Sequence, residues 1–141
     1  MTYKYTQFYS EKQLYNFLKT YFIDDLIPTA KSARFDCYSK KYKLNVELKC
    51  RRKHYNDLML EKKKYDSIIE RSNALDMLPV YVNSTPLGVW AFYLLGKQYD
   101  WSHKDLPKTT QWNKDRISKE VTYLNISQGI DLLSLLPLGK L

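Results

Sequence analysis

Four side chains have the types and spacing of a divalent-metal site: Glu11, Asp36, Glu47 and Lys49. Glu47 and Lys49 are two residues apart in an extended segment, so both project from one face of a strand. If residues 40–43 form a hairpin loop, Asp36 lies directly opposite Glu47, with Cβ atoms roughly 4.5–5.5 Å apart. Two carboxylates at that distance repel unless a cation lies between them, and Mg²⁺ accepts carboxylate oxygens while it keeps several waters. Lys49 beside such an ion would orient or deprotonate an attacking water, or stabilise charge on a phosphate.

The strand residues of this set also have a purely structural interpretation. Asp36 and Glu47 could be exposed strand residues that pair with Arg34 and Arg51. Lys49 is one of many lysines, and the tripeptide E-x-K is common in proteins. The combination of a helix Glu, a strand Asp and an E-x-K on the next strand is more specific than any of its parts.

Acidic residues on two predicted helices are further candidates. Glu11 lies three residues before Leu14, in line with the apolar stripe of the first helix, and could point inward to a metal. Alternatively, it interacts with the helix dipole. On the second predicted helix, Glu61 faces the core side and Lys64 lies one position round from it, so either could join the site. The alternative there is a solvated face held by ion pairs along the helix.

The elements that must position these residues follow from hydrophobic periodicity. Helices are expected over 11–22, 57–72 and 127–136, strands over 33–39, 44–51, 78–83, 88–94 and 119–125, and a polar surface excursion over 95–116. Ser10 and Gln13 have capping-box spacing, so the first helix should begin at Ser10. The order α-β-β-α-β-β followed by a tail predicts one α/β domain over residues 1–141, with a mixed central sheet flanked by helices.

The set Glu11, Asp36, Glu47 and Lys49 resembles the motif of the PD-(D/E)XK nuclease superfamily, whose core has a helix that often carries a Glu, then a hairpin with the Asp and the E-x-K. The resemblance covers about residues 10–94, and Phe35 stands where the superfamily usually has Pro. It implies a restriction-endonuclease-like core in which the acids bind Mg²⁺ or Mn²⁺ and the lysine assists phosphodiester hydrolysis. The small size and basic charge are similar to those of phage or archaeal junction resolvases.

The net charge of +8 favours a polyanionic partner such as DNA or RNA. The residues expected to grip phosphates are Arg51, Arg52 and Lys53 after the E-x-K strand, Lys41 in the hairpin loop, and Lys64. Lysine-rich loops also occur for solubility alone. Aromatic residues of the polar excursion, including Tyr99 and Trp101, could stack on bases or could pin that segment to the domain.

Several other classes of protein find no support in the sequence. Cys37 and Cys50 are expected to be core thiols, and His54 and His103 lack zinc-site spacing. No phosphate-binding glycine loop occurs. We expect no signal peptide and no membrane span, and hence a cytoplasmic protein, located in the host cytoplasm if it comes from a phage.

Three hypotheses follow. The first is a Mg²⁺-dependent endonuclease that acts on DNA, including branched or otherwise structured DNA. The second is a catalytically inactive nuclease-like fold that binds nucleic acid. The third is a protein-interaction module that uses the apolar segment 130–138, a segment that could also form a homodimer.

Overall fold

The computed structural model describes residues 3–29, 36–107 and 116–136. Within these ranges the chain forms two α-helices, α1 (Glu11–Tyr21) and α2 (Lys62–Leu75). The strands there are β1 (Ile27–Pro28), β2 (Asp36–Ser39), β3 (Leu44–Cys50), β4 (Asp57–Glu61), β5 (Leu78–Thr85), β6 (Gly88–Tyr93), β7 (Ser102–Pro107), β8 (Arg116–Asn125) and β9 (Ile130–Asp131).

The strands form two sheets. The larger sheet has six strands in the order β1-β2-β3-β5-β6-β9, and the smaller has three in the order β4-β8-β7. In the larger sheet β3 and β5 pair in parallel through a crossover that contains α2, and the other neighbours are antiparallel. The expected α/β class, with a mixed sheet and flanking helices, is therefore confirmed. No helix in the described part of the chain is long and apolar enough to cross a membrane.

The β2–β3 hairpin has the predicted register. Ser39 pairs with Leu44, and Asp36 pairs with Glu47. The loop closes without glycine because Lys43 adopts a left-handed backbone conformation (φ 54°). The Ser39 hydroxyl accepts a hydrogen bond from the Tyr42 amide, which holds the turn from inside.

Helix α1 begins as its capping residues predict. The Ser10 hydroxyl accepts a hydrogen bond from the Gln13 amide at 3.2 Å. The Gln13 side chain accepts one in return from the amide of Tyr9. The buried stripe of the helix, with Leu14 and Leu18 nearly inaccessible, packs against one face of the larger sheet.

The opposite face of the larger sheet is also covered. A second core fills the space between this face, α2 and the smaller sheet; its buried side chains are Leu58, Leu60, Ile68, Tyr81, Trp90, Phe92, Leu94 and Leu124. Side chains alternate along a strand, so Val46 and Leu48 of β3 enter the first core. Glu47 and Lys49 consequently project to the side of α2.

Three sequence-based predictions, for the segments 57–72, 95–116 and 127–136, were wrong in part. Residues 57–61 form strand β4 rather than the start of a helix, which begins only at Lys62. Leu58 and Leu60 alternate along β4 into the second core, but this two-residue period is ambiguous in the sequence because Leu58 also fits a helical stripe with Tyr65.

The polar segment 95–116 contains strand β7, an exposed edge strand that needs few apolar residues. Within this segment, Tyr99 and Trp101 pack against Tyr65 of α2, with ring centroids 5.5 and 5.3 Å from the Tyr65 ring.

The segment 127–136 is not an α-helix. It forms 3₁₀ turns at Ile126–Gln128 and Leu133–Leu135, with β9 between them. Leu132 and Leu136 are buried in the first core, whereas Leu135 is exposed. Residues 137 and 138 of the apolar tail lie outside the described residues.

Candidate active site

The hairpin brings Asp36 and Glu47 together as direct cross-strand partners. Both are buried, with exposed fractions of 8% and 5%. Carboxylates so strongly desolvated need compensating charge or hydrogen bonds. The predicted juxtaposition of the two acids is therefore confirmed, whereas the alternative of exposed strand residues is not.

The compensating charges come from α2. Arg71 Nη1 lies 2.8 Å from Asp36 Oδ2, and Arg71 Nη2 lies 3.8 Å from Glu47 Oε1. On the other side of the pair, Lys64 Nζ lies 3.6 Å from Glu47 Oε2. Two cations thus face two acids. Of the partners in the alternative interpretation, Arg34 lies outside the described residues, and Arg51 donates its hydrogen bonds to Asn83 and Met59.

A buried polar contact fixes the position of α2 over β3. The Asn45 side chain donates a hydrogen bond to Ser72 Oγ at 2.9 Å, and Ile68 is fully buried beside it. Lys64, Ile68, Arg71 and Ser72 follow the spacing of one helix face. Because this face packs on β3, Lys64 and Arg71 lie beside the carboxylates of Asp36 and Glu47.

The two acids share a proton. Burial and the hydrogen bond that protonated Glu47 donates to Asp36 raise the pKa of Glu47 to about 8. Burial alone would raise the pKa of Asp36 too, but its hydrogen bonds with Glu47 and Arg71 hold it below its usual value. Near neutral pH, Glu47 therefore carries the proton and donates it to the Asp36 carboxylate.

The donor set fits a divalent cation that takes few protein ligands. Asp36 Oδ1 is enclosed and has no hydrogen-bond donor among the described residues when both acids are ionised. No group of three or more His, Cys, Asp or Glu side chains in the described ranges is placed to hold a metal. Two carboxylates nevertheless suit Mg²⁺, which commonly binds through one or two carboxylates and keeps its remaining waters.

Lys49 lies on the same face of β3, two residues beyond Glu47, and is half-buried. Burial lowers the pKa of its ammonium group, and the charge of Arg51 lowers it further. The carboxylates of Glu11 and Glu61 oppose this effect. A lysine with a lowered pKa is better suited to exchange a proton near neutral pH than an exposed one.

Glu11 and Glu61 influence the pKa of Lys49, but neither is a strand partner of Asp36 or Glu47. Glu11 is half-buried in the first turn of α1, and its carboxylate raises the pKa of Lys49. Its role as a third metal ligand stays a prediction. Glu61 ends β4 rather than lying on a helix, and its carboxylate pairs with Lys119 Nζ at 2.9 Å.

No protein-family model, curated protein or solved structure matches this chain.

The residues predicted to bind phosphate differ in the contacts that they make within the protein. Arg51 donates to Asn83 Oδ1 at 2.7 Å and to the Met59 carbonyl at 2.6 Å, and so braces β4 against the larger sheet. Arg52 is exposed, with its guanidinium 5.8 Å from the Tyr9 ring centroid.

The other predicted basic residues lie in three places. Lys53 is exposed beside Arg52. Lys41 pairs with Asp24 at 3.3 Å on the surface of the hairpin. Lys64 faces Glu47. Binding of phosphate by any of these residues stays a prediction.

Arg71 is a site residue that the sequence motif does not include. A signal for it was present, because Arg71 is seven residues after Lys64 and so falls on the same side of a helix. The contact of this helix face with Asp36 and Glu47 depends on how α2 packs over β3. Cys37 is a buried free thiol, as predicted for a core residue, whereas the free thiol of Cys50 is only half-buried.

Proposed function

We propose that this protein is a metal-dependent nuclease that hydrolyses phosphodiester bonds in DNA, with RNA as a second substrate to test. The observation that carries the proposal is the buried cross-strand pair Asp36 and Glu47, with Lys49 on the same strand face as Glu47. A protein seldom buries two facing carboxylates beside a half-buried lysine without a use for them, because their desolvation is costly.

The order of elements supports a restriction-endonuclease-like core. Helix α1 carries Glu11, the β2–β3 hairpin carries Asp36 and the E-x-K residues, and α2 leads to β5, which pairs in parallel with β3. This is the order of helix, hairpin and second helix that the resemblance to PD-(D/E)XK nucleases implies. Branched or otherwise structured DNA is the substrate class suggested by the similarity in size and charge to junction resolvases.

In the proposed reaction, Asp36 and Glu47 would hold Mg²⁺ or Mn²⁺, and Glu47 would release its proton to solvent when the ion binds. The bound ion would lower the pKa of a coordinated water and neutralise charge on the phosphate. Lys49 projects from the same face of β3 as Glu47, where its amine would orient the attacking water or accept its proton, or its ammonium form would stabilise the phosphate charge. The basic surface attracts the polyanionic substrate.

One observation favours a second candidate, a nuclease-like fold that binds nucleic acid without cutting it. Arg71 and Lys64 already compensate the charge of Asp36 and Glu47 within the protein. A site neutralised in this way is stable without a metal. The two candidate functions differ in whether a divalent cation can bind between Asp36 and Glu47.

A cleavage assay separates the candidates. Linear, branched and single-stranded DNA, together with RNA, are incubated with Mg²⁺, Mn²⁺ or a chelator. We expect metal-dependent cleavage by the unaltered protein and by Glu120→Gln, a substitution of an exposed carboxylate on β8 that pairs with His103. Glu47→Gln should remove cleavage. Tight binding without cleavage under all metal conditions would favour the second candidate.

The partners remain proposals as well. The described part of the apolar tail leaves Ile130 and Leu135 exposed, at 39% and 58%. A homodimer through this surface and a cytoplasmic location both stay predictions. Sedimentation over a concentration series, with and without DNA, tests the dimer.

A further inference from the structure

We propose that Arg71 is a built-in counter-cation of the acid pair and that a divalent metal ion must displace it. The proposal rests on the proposed function, because it takes Asp36 and Glu47 to be the metal-binding acids. It adds a regulatory role for a residue outside the recognised motif. Arg71 would set how readily the site accepts its metal.

The contacts of Arg71 place it where a bound cation would lie. One guanidinium nitrogen is 2.8 Å from Asp36 Oδ2 and the other is 3.8 Å from Glu47 Oε1, so the group bridges the two acids. A divalent ion between the same carboxylates would meet this positive charge at close range. Both cannot occupy the acid pair without strong repulsion.

The bridge is incomplete as an ion pair. Arg71 Nε is buried without a hydrogen-bond partner among the described residues, and Asp36 Oδ1, also buried, accepts no hydrogen bond from Arg71. A buried arginine–carboxylate pair is strongest when both forks are satisfied. The guanidinium therefore neutralises the acids without filling the site, which leaves a metal ion with its waters able to compete.

Arg71 can leave without unfolding the helix that carries it. Helix α2 is held on β3 by the fully buried Ile68 and by the Asn45–Ser72 hydrogen bond, neither of which involves Arg71. The Arg71 side chain is 29% exposed, so its guanidinium has a path to solvent. The exchange needs only a side-chain rotation, which costs little compared with a movement of the helix.

Direct titration of metal into the protein tests the exchange. Calorimetry with MgCl₂ and MnCl₂ is carried out on the unaltered protein, on Arg71→Met and on Lys62→Met. Lys62→Met is the matched control, because Lys62 lies on the same helix but pairs with Asp66 rather than with the acid pair. We expect Arg71→Met to bind metal roughly tenfold more tightly, since a charge-assisted hydrogen bond no longer opposes binding. Lys62→Met should bind as the unaltered protein does.

Stability without metal gives a second measurement. In chelator at neutral pH, Arg71→Met should have a lower melting temperature than the unaltered protein. Addition of Mg²⁺ should raise the melting temperature of Arg71→Met by more than it raises that of Lys62→Met. If Arg71→Met does not fold, Arg71→Lys replaces it and should bind metal more tightly than the unaltered protein, since it lacks the fork that bridges the acids. In the unaltered protein, the Arg71 Nε–H resonance should shift when Mg²⁺ binds.

Three results would overturn the proposal: equal metal affinity in Arg71→Met and the unaltered protein, weaker affinity in Arg71→Met, or no metal binding by any variant. Failure of the proposed function is distinguishable from these. Tighter metal binding by Arg71→Met in a protein that never cleaves nucleic acid would retain the exchange and remove the nuclease. Metal-dependent cleavage, with the same metal affinity in Arg71→Met and in the unaltered protein, would retain the nuclease and remove the exchange.

Discussion

Asp36 and Glu47 are direct cross-strand partners whose carboxyl pKa values move in opposite directions. Arg71 approaches Asp36 a full ångström more closely than it approaches Glu47. The negative charge therefore settles on Asp36 and the proton on Glu47. The pair carries one charge near neutral pH, and it gains a second only when the proton leaves.

The first prediction concerns stability against pH. The usual pKa of Glu47 is 4.5, and its folded-state value is about 8. Between these values the folded protein keeps a proton that the unfolded chain has released, so a rise in pH favours unfolding. The stability associated with this proton is complete below about pH 4.5 and is lost as the pH rises through about 8. We expect the free energy of unfolding to fall over this window.

Urea denaturation at a series of pH values checks this prediction. Glu47→Gln should flatten the decline, because Gln cannot ionise, and should be more stable than the unaltered protein near pH 8. Glu120→Gln serves as a control and should keep the decline. Asp36 contributes with the opposite sign, since its pKa is lowered from 3.8, but that contribution is lost only as the pH falls below this window. A decline that persists in Glu47→Gln would show that another group causes it.

The second prediction separates chemistry from folding at Lys49. Lys49→Ala should reduce cleavage by at least about 100-fold, the usual contribution of a proton-transfer group. Its stability should be unchanged or higher, because a desolvated amine is removed. Lys63→Ala, an exposed lysine of α2, is the control.

Lys49→Arg and the pH profile of cleavage distinguish the roles of Lys49. If the amine accepts a proton, the rate rises with pH toward its lowered pKa, and Lys49→Arg is inactive. If only the charge matters, Lys49→Arg keeps much of the rate. Full activity in Lys49→Ala would remove Lys49 from the site.

The third prediction assigns Arg51 a structural role. Arg51→Ala should lower the free energy of unfolding by about 2 kcal/mol, because hydrogen bonds of a charged donor to Asn83 and to the Met59 carbonyl are lost. Arg52→Ala should change it by less than about 0.5 kcal/mol, since Arg52 is exposed. Chemical denaturation of both variants gives the comparison. Similar small losses in the two would contradict it.

The fourth prediction concerns binding of nucleic acid. Affinity should fall steeply with salt, because each neutralised phosphate adds about 0.9 to the slope of log affinity against log salt. Arg52→Ala combined with Lys53→Ala should reduce this slope by up to about 2, since both side chains are exposed and adjacent. Lys41→Ala should reduce it less, because Lys41 pairs with Asp24. Fluorescence anisotropy over a salt series tests this, and a flat response would exclude electrostatic binding.

The hairpin and its acid pair could be predicted because they depend on local sequence. Strand alternation and the length of the loop fix the register within a few residues, and that register brings Asp36 opposite Glu47. The start of the first helix could be predicted in the same way, because the nearby residues Ser10 and Gln13 supply its cap.

The rest of the site depends on pairings between distant parts of the chain. Strand β4 belongs to the smaller sheet through β8, whose residues come more than fifty positions later, so its short Leu58-Met59-Leu60 pattern was ambiguous by itself. Arg71 meets Asp36 across 35 residues of sequence. Nothing near either residue specifies that contact, which follows from the docking of α2.

The parallel pairing of β3 with β5 also sets the order in which the protein can fold. The hairpin needs only a short loop, whereas the parallel pair must wait for closure of the much longer segment that includes β4 and α2. Until that segment closes, the two facing acids lack the cations of Lys64 and Arg71. The early hairpin is therefore disfavoured by its own charges near neutral pH, and the arrival of α2 both completes the sheet and relieves that repulsion. The residues proposed for catalysis thus make the last steps of folding more cooperative.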